Sequence, residues 1–407
     1  MAHALLCSTA PRELQRALDL GLMRMQIISF CVAALYSGLW CLRWASSGGE
    51  ERMWGQLRLF CGMVCAGSVA GAVGWGAQMQ NLILYYEANA SDVTPYQEYK
   101  RTASAYRLLS AFLICYGFEF LCLIISKLML LGRLASNATQ SSQADTSGMS
   151  GMRRRWLSGR GLLFVCRVMT AVVVVGSVVG LVASDVSAAY YVHSAGLNDQ
   201  AARACDAAGS DTNSSQALQS DALVFQLKAF TAVFVQSGSE ALTLLLVSVT
   251  FVVIVSWSVA LFRMAERVGA RALLASSPHW ELQPNEANVQ RLVSDAIQAS
   301  AAHRWRLTAA CIIVLVTFPA RAAYDLLLAY SSFDDSQNPA CGVCDPCQSQ
   351  PFLIRQWLVY TPEFQPIVVA LSSPLPLTLS LWLITKAHAR ARSIVASMRQ
   401  AGLGDGR

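Results

Sequence analysis

The sequence predicts an all-α fold: a polytopic membrane helix bundle with seven transmembrane helices. Three observations predict it. Apolar residues make up 54% of the 407 positions and charged residues only 14%, against about 25% charged in a soluble domain. The apolar residues fall in runs of about 20 or more, enough to cross a ~30 Å hydrocarbon layer at ~1.5 Å per residue. Lys and Arg collect at alternate ends of those runs. The same composition argues against a disordered chain, and a net charge of +6 is too diffuse to indicate a nucleic-acid partner.

The seven runs are Leu22–Leu42, Leu57–Leu84, Tyr106–Leu131, Leu162–Ser184, Ala241–Phe262, Leu307–Tyr330 and Phe364–Thr385. Each is too long and too continuously apolar for a strand. The opening Ala-His-Ala-Leu-Leu-Cys-Ser-Thr-Ala lacks the positive region and apolar core of a cleaved signal, so the first span is expected to direct insertion itself. Gly67-x-x-x-Gly71 with Gly74 and Gly76 marks the second run, and Gly176-x-x-x-Gly180 marks the fourth. Such small residues let helices approach closely, within the chain or at a homodimer seam, the first being commoner.

The fifth region is apolar from Ala222 to Phe262, and Ser237-Gly238-Ser239 could break it into two spans. The piece before that break is too short for a crossing and carries Lys228. The expectation is one long helix, or a helix with an outer extension, ending at Arg263. The seventh run opens with Thr361-Pro362-Glu363: a cap, a proline at the first helical position and an acid in the first turn. Ser372-Ser373-Pro374-Leu375-Pro376 follows. Its prolines remove two amide donors and clash with the preceding turn, so a kink is expected. The freed carbonyls need neighbouring partners or a wet cavity.

Residues 1–390 are thus expected to form the membrane domain and 391–407 a cytoplasmic tail. Within the domain, 135–160 reads as a flexible cytoplasmic linker rich in Ser, Gly, Gln and Thr. Arg153-Arg154-Arg155-Trp156 there is a topology signal and interfacial anchor, or else a site for anionic lipid or a partner. Residues 194–221, with Asp199, Asp206, Asp211 and Asp221, read as a polar outer loop, solvated and partly disordered. Residues 265–305 read as a cytoplasmic helical connection. After Pro284 it carries Val289, Leu292, Val293, Ala296 and Ile297 on one face. That face packs on neighbouring helices or docks a cytoplasmic protein partner.

The basic residues orient the chain. With the amino terminus outside, Arg43, Arg52 and Arg58, then Lys127, Arg133, Arg153, Arg154, Arg155, Arg160 and Arg167, then Arg263, Arg267, Arg271, Arg291, Arg304 and Arg306, and finally the tail fall on the cytoplasmic side. Sequons at Asn89 and Asn213 then lie outside, as glycosylation requires, whereas Asn137 lies inside. The localisation expected is a plasma membrane or endomembrane, with the carboxyl terminus cytoplasmic.

Of the 13 cysteines, most lie in the runs and act as small apolar residues. Cys341, Cys344 and Cys347 form Cys-x-x-Cys-x-x-Cys in an outer loop, and Cys205 lies in another. Four outer cysteines suggest two disulfides, whose pairing spacing alone leaves open. A thiolate zinc site is the rival if the topology is inverted.

Among the charges inside the runs, three bear on the membrane interior: Glu119 in the third, Arg321 and Asp325 in the sixth. An ionised group at mid-bilayer costs ~2.5–3.5 kcal/mol on insertion scales. Arg321 and Asp325, four apart, share a helix face and can pair. Glu119 meets Arg321 if their helices are adjacent. With Tyr324 and Ser373, these residues either form a structural ion-pair network or line a ligand or ion pathway. No cofactor, metal site or catalytic group is expected. His3, His193, His279, His303 and His388 lie away from the span centres, and no nucleophile elbow or phosphate loop occurs. A retinal-type lysine in mid-seventh helix is missing, and no internal repeat is visible.

Two short segments carry a resemblance. Ala33-Ala34-Leu35-Tyr36 leading to Leu42-Arg43, followed by Arg58-Leu59-Phe60, and Phe318 to Leu327, with Glu363-x-x-Pro366, are similar to the plant tobamovirus-multiplication-protein type of seven-helix membrane proteins. The resemblance implies a receptor-like protein or membrane scaffold without chemistry of its own, and no functional residue is carried over. The leading expectation is therefore a non-enzymatic seven-helix receptor or scaffold in the lipid bilayer. A transporter or channel using Glu119, Arg321, Asp325 and the Pro374/Pro376 break is the alternative.

Overall fold

A computed structural model of the chain describes residues 10–46, 51–88, 93–143, 159–207, 212–275 and 315–331, with isolated positions 305, 309, 312, 368, 369 and 379. Regular structure among the described residues is entirely helical. The helices are α1 (Ala10–Ser46), α2 (Glu51–Ala88), α3 (Pro95–Gln143), α4 (Gly159–Ala207), α5 (Thr212–Ala275) and a segment α6 (residues 315–331). Five stretches are long and apolar enough to cross a membrane: Leu20–Arg43, Arg58–Ala88, Pro95–Met129, Phe164–Asp206 and Ser214–Ile254. The architecture is that of a multi-pass membrane protein. These stretches overlap the first five expected runs, and α6 overlaps the sixth. The seventh, with Ser373, Pro374 and Pro376, lies almost wholly outside the described residues.

Helix ends differ from the expected run ends for one reason: apolarity marks where a chain meets lipid, not where a helix stops. Residues 194–207 and 212–221 are helical, not the solvated loop expected for 194–221. Helix α4 continues to Ala207 and α5 starts at Thr212. Beneath the polar composition runs a set of small residues, Ala195, Ala201 and Ala202, that is buried. Asp199 is ion-paired with Arg107 of α3, and Gln226 of α5 donates to Ser194 Oγ at 3.3 Å. Likewise α5 passes Ser237-Gly238-Ser239 unbroken, as one long helix, but does not end at Arg263. It runs to Ala275 through a stretch rich in Ala, Leu, Met, Glu and Arg, strong helix formers that outweigh Val268 and Gly269. Helix α3 reaches Gln143, into the start of the expected linker. Its own start is capped: Thr94 Oγ1 accepts from Gln97 N at 3.4 Å, with Pro95 and Glu98 in the first turn.

The chain divides into two compact units. The second comprises Leu128–Thr170, Val247–Thr317 and Pro376–Arg407, and buries Leu131, Cys166, Phe251 and Ile254. The first comprises Met1–Lys127, Ala171–Leu246 and Phe318–Leu375, and it holds the glycine-mediated helix contacts and the buried charges.

Consecutive helices in the first unit pack antiparallel, and glycines set how closely. A methyl at Gly71 of α2 would meet the Phe30 ring of α1 at 2.6 Å. At Gly67 and Gly74 it would meet Cys122 and Cys115 of α3, each at 3.0 Å. At Gly176 and Gly180 of α4 it would meet Thr243 Oγ1 at 2.7 Å and Ser239 Oγ at 2.8 Å, both on α5. Both small-residue motifs are therefore spent on contacts inside the chain; Gly76 alone of that group faces open space. Apolar residues point the other way. Met25, Ile28, Val32, Leu35, Leu39 and Leu42 recur at alternating three- and four-residue spacing on α1, all exposed, opposite buried Met23, Phe30 and Ala33. A continuous apolar outer stripe over a packed inner one suits lipid as solvent.

Candidate functional site

The site grows from charges that the helix period brings to one side. On α3, Tyr116, Glu119 and Phe120 lie within about one turn of one another. On α5, Gln236 and Glu240 are four apart, and on α6 so are Arg321 and Asp325. The three helices turn these residues inward. Glu119 and Arg321 are each 1% exposed, and Glu240, Asp325, Gln236 and Tyr116 are also buried.

Arg321 is the hub. One guanidinium nitrogen, Nη2, donates to Tyr116 Oη at 2.8 Å, and that hydroxyl donates onward to Glu240 Oε2 at 3.1 Å. Gln236 Nε2 donates to the other oxygen of Glu240 at 3.0 Å. Arg321 Nε lies 3.9 Å from Asp325 Oδ2, a loose pair along α6. The guanidinium carbon also stands 5.5 Å from the ring centres of Tyr116 and of Phe120. In a dry interior, ring faces add stabilisation to a cation that hydrogen bonds alone do not saturate. The rings continue away from it. Phe112 packs on Tyr116 at 5.6 Å, and Trp75 of α2 meets Phe112 edge-on at 5.5 Å. The cluster thus sits against a stiff aromatic wall, which fixes the Tyr116 hydroxyl in place.

Two further charges complete the set. Lys127, two turns along α3 from Glu119, is buried with its ammonium 4.1 Å from the Phe318 ring centre. It is a member of the buried unit rather than a basic flank at the cytoplasmic surface, a correction to its place in the charge count. Glu119 differs from the other acids: neither of its oxygens has a hydrogen-bond partner among the described residues. Among the described residues, three carboxylates therefore share this interior with one guanidinium and one ammonium. Such an assembly can hold a cation, because the acidic groups outnumber the basic ones and one of them is uncommitted.

Of the residues singled out from the sequence, Glu119, Arg321 and Asp325 are all buried in this unit, with the i,i+4 pair formed. Tyr324 packs with Val368, Leu327 and Leu328. Ser373 lies outside the described residues, as do Cys341, Cys344, Cys347 and Asn89. Cys205 is half-buried on α4, and Asn213 is in the first turn of α5. Sequence reading missed Tyr116, Gln236 and Glu240. The available signal was the i,i+4 spacing of Gln236 and Glu240 inside an apolar run.

No family model matches this chain, and neither a curated protein nor a solved structure is significantly similar to it.

Proposed function

We propose that this chain is a multi-pass membrane transport protein whose α3–α5–α6 cluster binds a small cation, a proton or an alkali-metal ion, during passage. The observation that supports this most is Glu119, a fully buried carboxylate with both oxygens unpartnered among the described residues. A charge in that setting is costly, and intramembrane acids of this kind are commonly paired or functional. Glu240 is already engaged by Tyr116 and Gln236, and Asp325 stands beside Arg321. Glu119 is left as the group with capacity to take an ion. Arg321 and Lys127 are the resident cations against which that ion is balanced.

The frame of the proposal is the seven-span topology, with the amino terminus outside, the carboxyl terminus cytoplasmic, glycans at Asn89 and Asn213, and disulfides among Cys205, Cys341, Cys344 and Cys347. The chain needs no enzymatic activity, and the proline break expected at Pro374 and Pro376 would line the path.

A receptor-like or scaffold protein is the second reading, in line with the resemblance to the tobamovirus-multiplication-protein type. The observation favouring it is that Arg321, Tyr116, Glu240 and Gln236 form a continuous internal network, as a structural staple does. Reconstitution in proteoliposomes separates the two. Under the transport reading, a pH or sodium gradient drives measurable cation flux, and Glu119→Gln abolishes it while the protein remains folded. If wild-type vesicles are tight to both ions, or Glu119→Gln conducts like wild type, the transport reading is lost. If Arg321→Ala and Glu119→Gln only lower expression, the charges are structural.

A further inference from the structure

An apolar groove of about 560 Å³ lies on the outside of the α4/α5 hairpin, apart from the charge cluster. Its floor and walls include Val178, Val182 and Val186 of α4 and Val235 of α5. Its far end carries Tyr190 and Lys228. From Val178 to Tyr190 the helix rises about 18 Å, close to the ~15 Å of hydrocarbon in one leaflet.

The polarity is one-sided. Lys228 is exposed, and among the described residues it has no ion-pair partner. Its ammonium stands 5.0 Å from the ring centre of Phe225, one turn nearer the start of α5, so the side chain reaches away from the valines and toward the helix end. Tyr190 and His193 gather on the same Phe225 ring, with centroids at 6.2 and 4.1 Å. Tyr106 of α3 and Tyr191 of α4 also pair nearby, at 5.6 Å. Aromatic rings with a snorkelling lysine mark the level of lipid headgroups. Asp185, exposed on α4, is not among the groove's lining residues and has no ion pair to Lys228 among the described residues.

We propose that this groove is a binding site for an anionic phospholipid, one acyl chain lying along the valines and the phosphate-bearing headgroup held at Lys228. Charge complementarity selects the headgroup: the single cation among the lining residues sits where the apolar channel ends. An acyl chain is the occupant with the right shape, because the groove is lined along its length by valines, about one leaflet long and open to the side.

The test uses the full chain in nanodiscs of phosphatidylcholine containing one quarter phosphatidylglycerol. After purification in mild detergent, the lipids that stay bound are counted by native mass spectrometry. Wild type retains phosphatidylglycerol over phosphatidylcholine by about fivefold beyond the nanodisc ratio, the factor one lysine near an anionic surface supplies. Lys228→Gln, at an exposed position, loses that preference. Val182→Trp fills the groove and loses bound lipid of both kinds, whereas Val175→Trp, on the exposed face of α4 beyond the lining residues, behaves like wild type. The proposal is overturned if Lys228→Gln keeps the preference, or if wild type shows none. It is equally overturned if Val182→Trp retains lipid unchanged, or converts a dimer to a monomer, which would make a second copy the occupant.

Discussion

At the scale of single residues, the cluster separates groups that are satisfied from one that is not, and the two classes respond oppositely to substitution. Tyr116→Phe keeps the ring beneath Arg321 but removes the hydroxyl that links it to Glu240. Its expected cost is about 1–3 kcal/mol, the penalty for stranding buried polar partners. Arg321→Ala takes the guanidinium from the buried acids, leaving Lys127 alone to balance them, and is expected to cost about 3–5 kcal/mol. Glu119→Gln removes a charge that no donor compensates among the described residues. It is therefore expected to leave stability unchanged or raise it, even where it abolishes flux. Denaturant unfolding in one detergent compares all three; a loss in Glu119→Gln as large as that in Arg321→Ala would show Glu119 to be a structural partner. Glu119, Arg321 and Asp325 were legible in the sequence because each interrupts an apolar run. Glu240 was not. It follows Ser237-Gly238-Ser239, where polarity reads as a turn, and its burial is decided by α3 and α6, which are distant in sequence.

Helices pose a different problem, because the property that reveals them does not delimit them. Runs of apolar residues placed the first five spans, yet α4 and α5 extend well beyond their runs into Ala-rich stretches that read as polar loop. Amino-acid propensity carries the helix on after the lipid ends. The two hairpin helices are then held by small residues, and this gives a paired prediction. Gly176→Ala places a methyl 2.7 Å from Thr243 Oγ1, so α4 and α5 must separate or Thr243 must turn. The expected loss is about 1–3 kcal/mol, as for an overpacked core. A methyl added at Gly238 would meet nothing within 4 Å, and the residue sits in mid-helix. Gly238→Ala is expected to raise stability by up to about 1 kcal/mol through helix propensity alone. Thermal unfolding of the two variants against wild type gives the comparison. Destabilisation by Gly238→Ala would mean that α5 must bend at Ser237-Gly238-Ser239 to be stable.

For the molecule as a whole, the decisive quantity is the parity of its crossings. Five helices able to span, plus α6 overlapping a sixth apolar run, bring the chain to the final run at Phe364–Thr385. If that run also crosses, the termini lie on opposite faces, and the connection holding Cys341, Cys344 and Cys347 shares a side with Asn89 and Asn213. The bias of basic residues toward alternate connections predicts that side to be the outside. In sealed, right-side-out vesicles a membrane-impermeant maleimide is then expected to label Cys344 after reduction but not before, because an oxidising compartment keeps it in a disulfide. Glycosidase treatment is expected to shift the mobility of wild type but not of an Asn89→Gln, Asn213→Gln double variant. Labelling of Cys344 only after permeabilisation, without any glycosidase shift, would invert the topology. The three clustered thiols would then face a reducing compartment, where they are suited to bind zinc as thiolates rather than to form disulfides. A protease that removes both termini from the same face would instead make the number of crossings even and reduce the final run to a helix lying on or against the bundle.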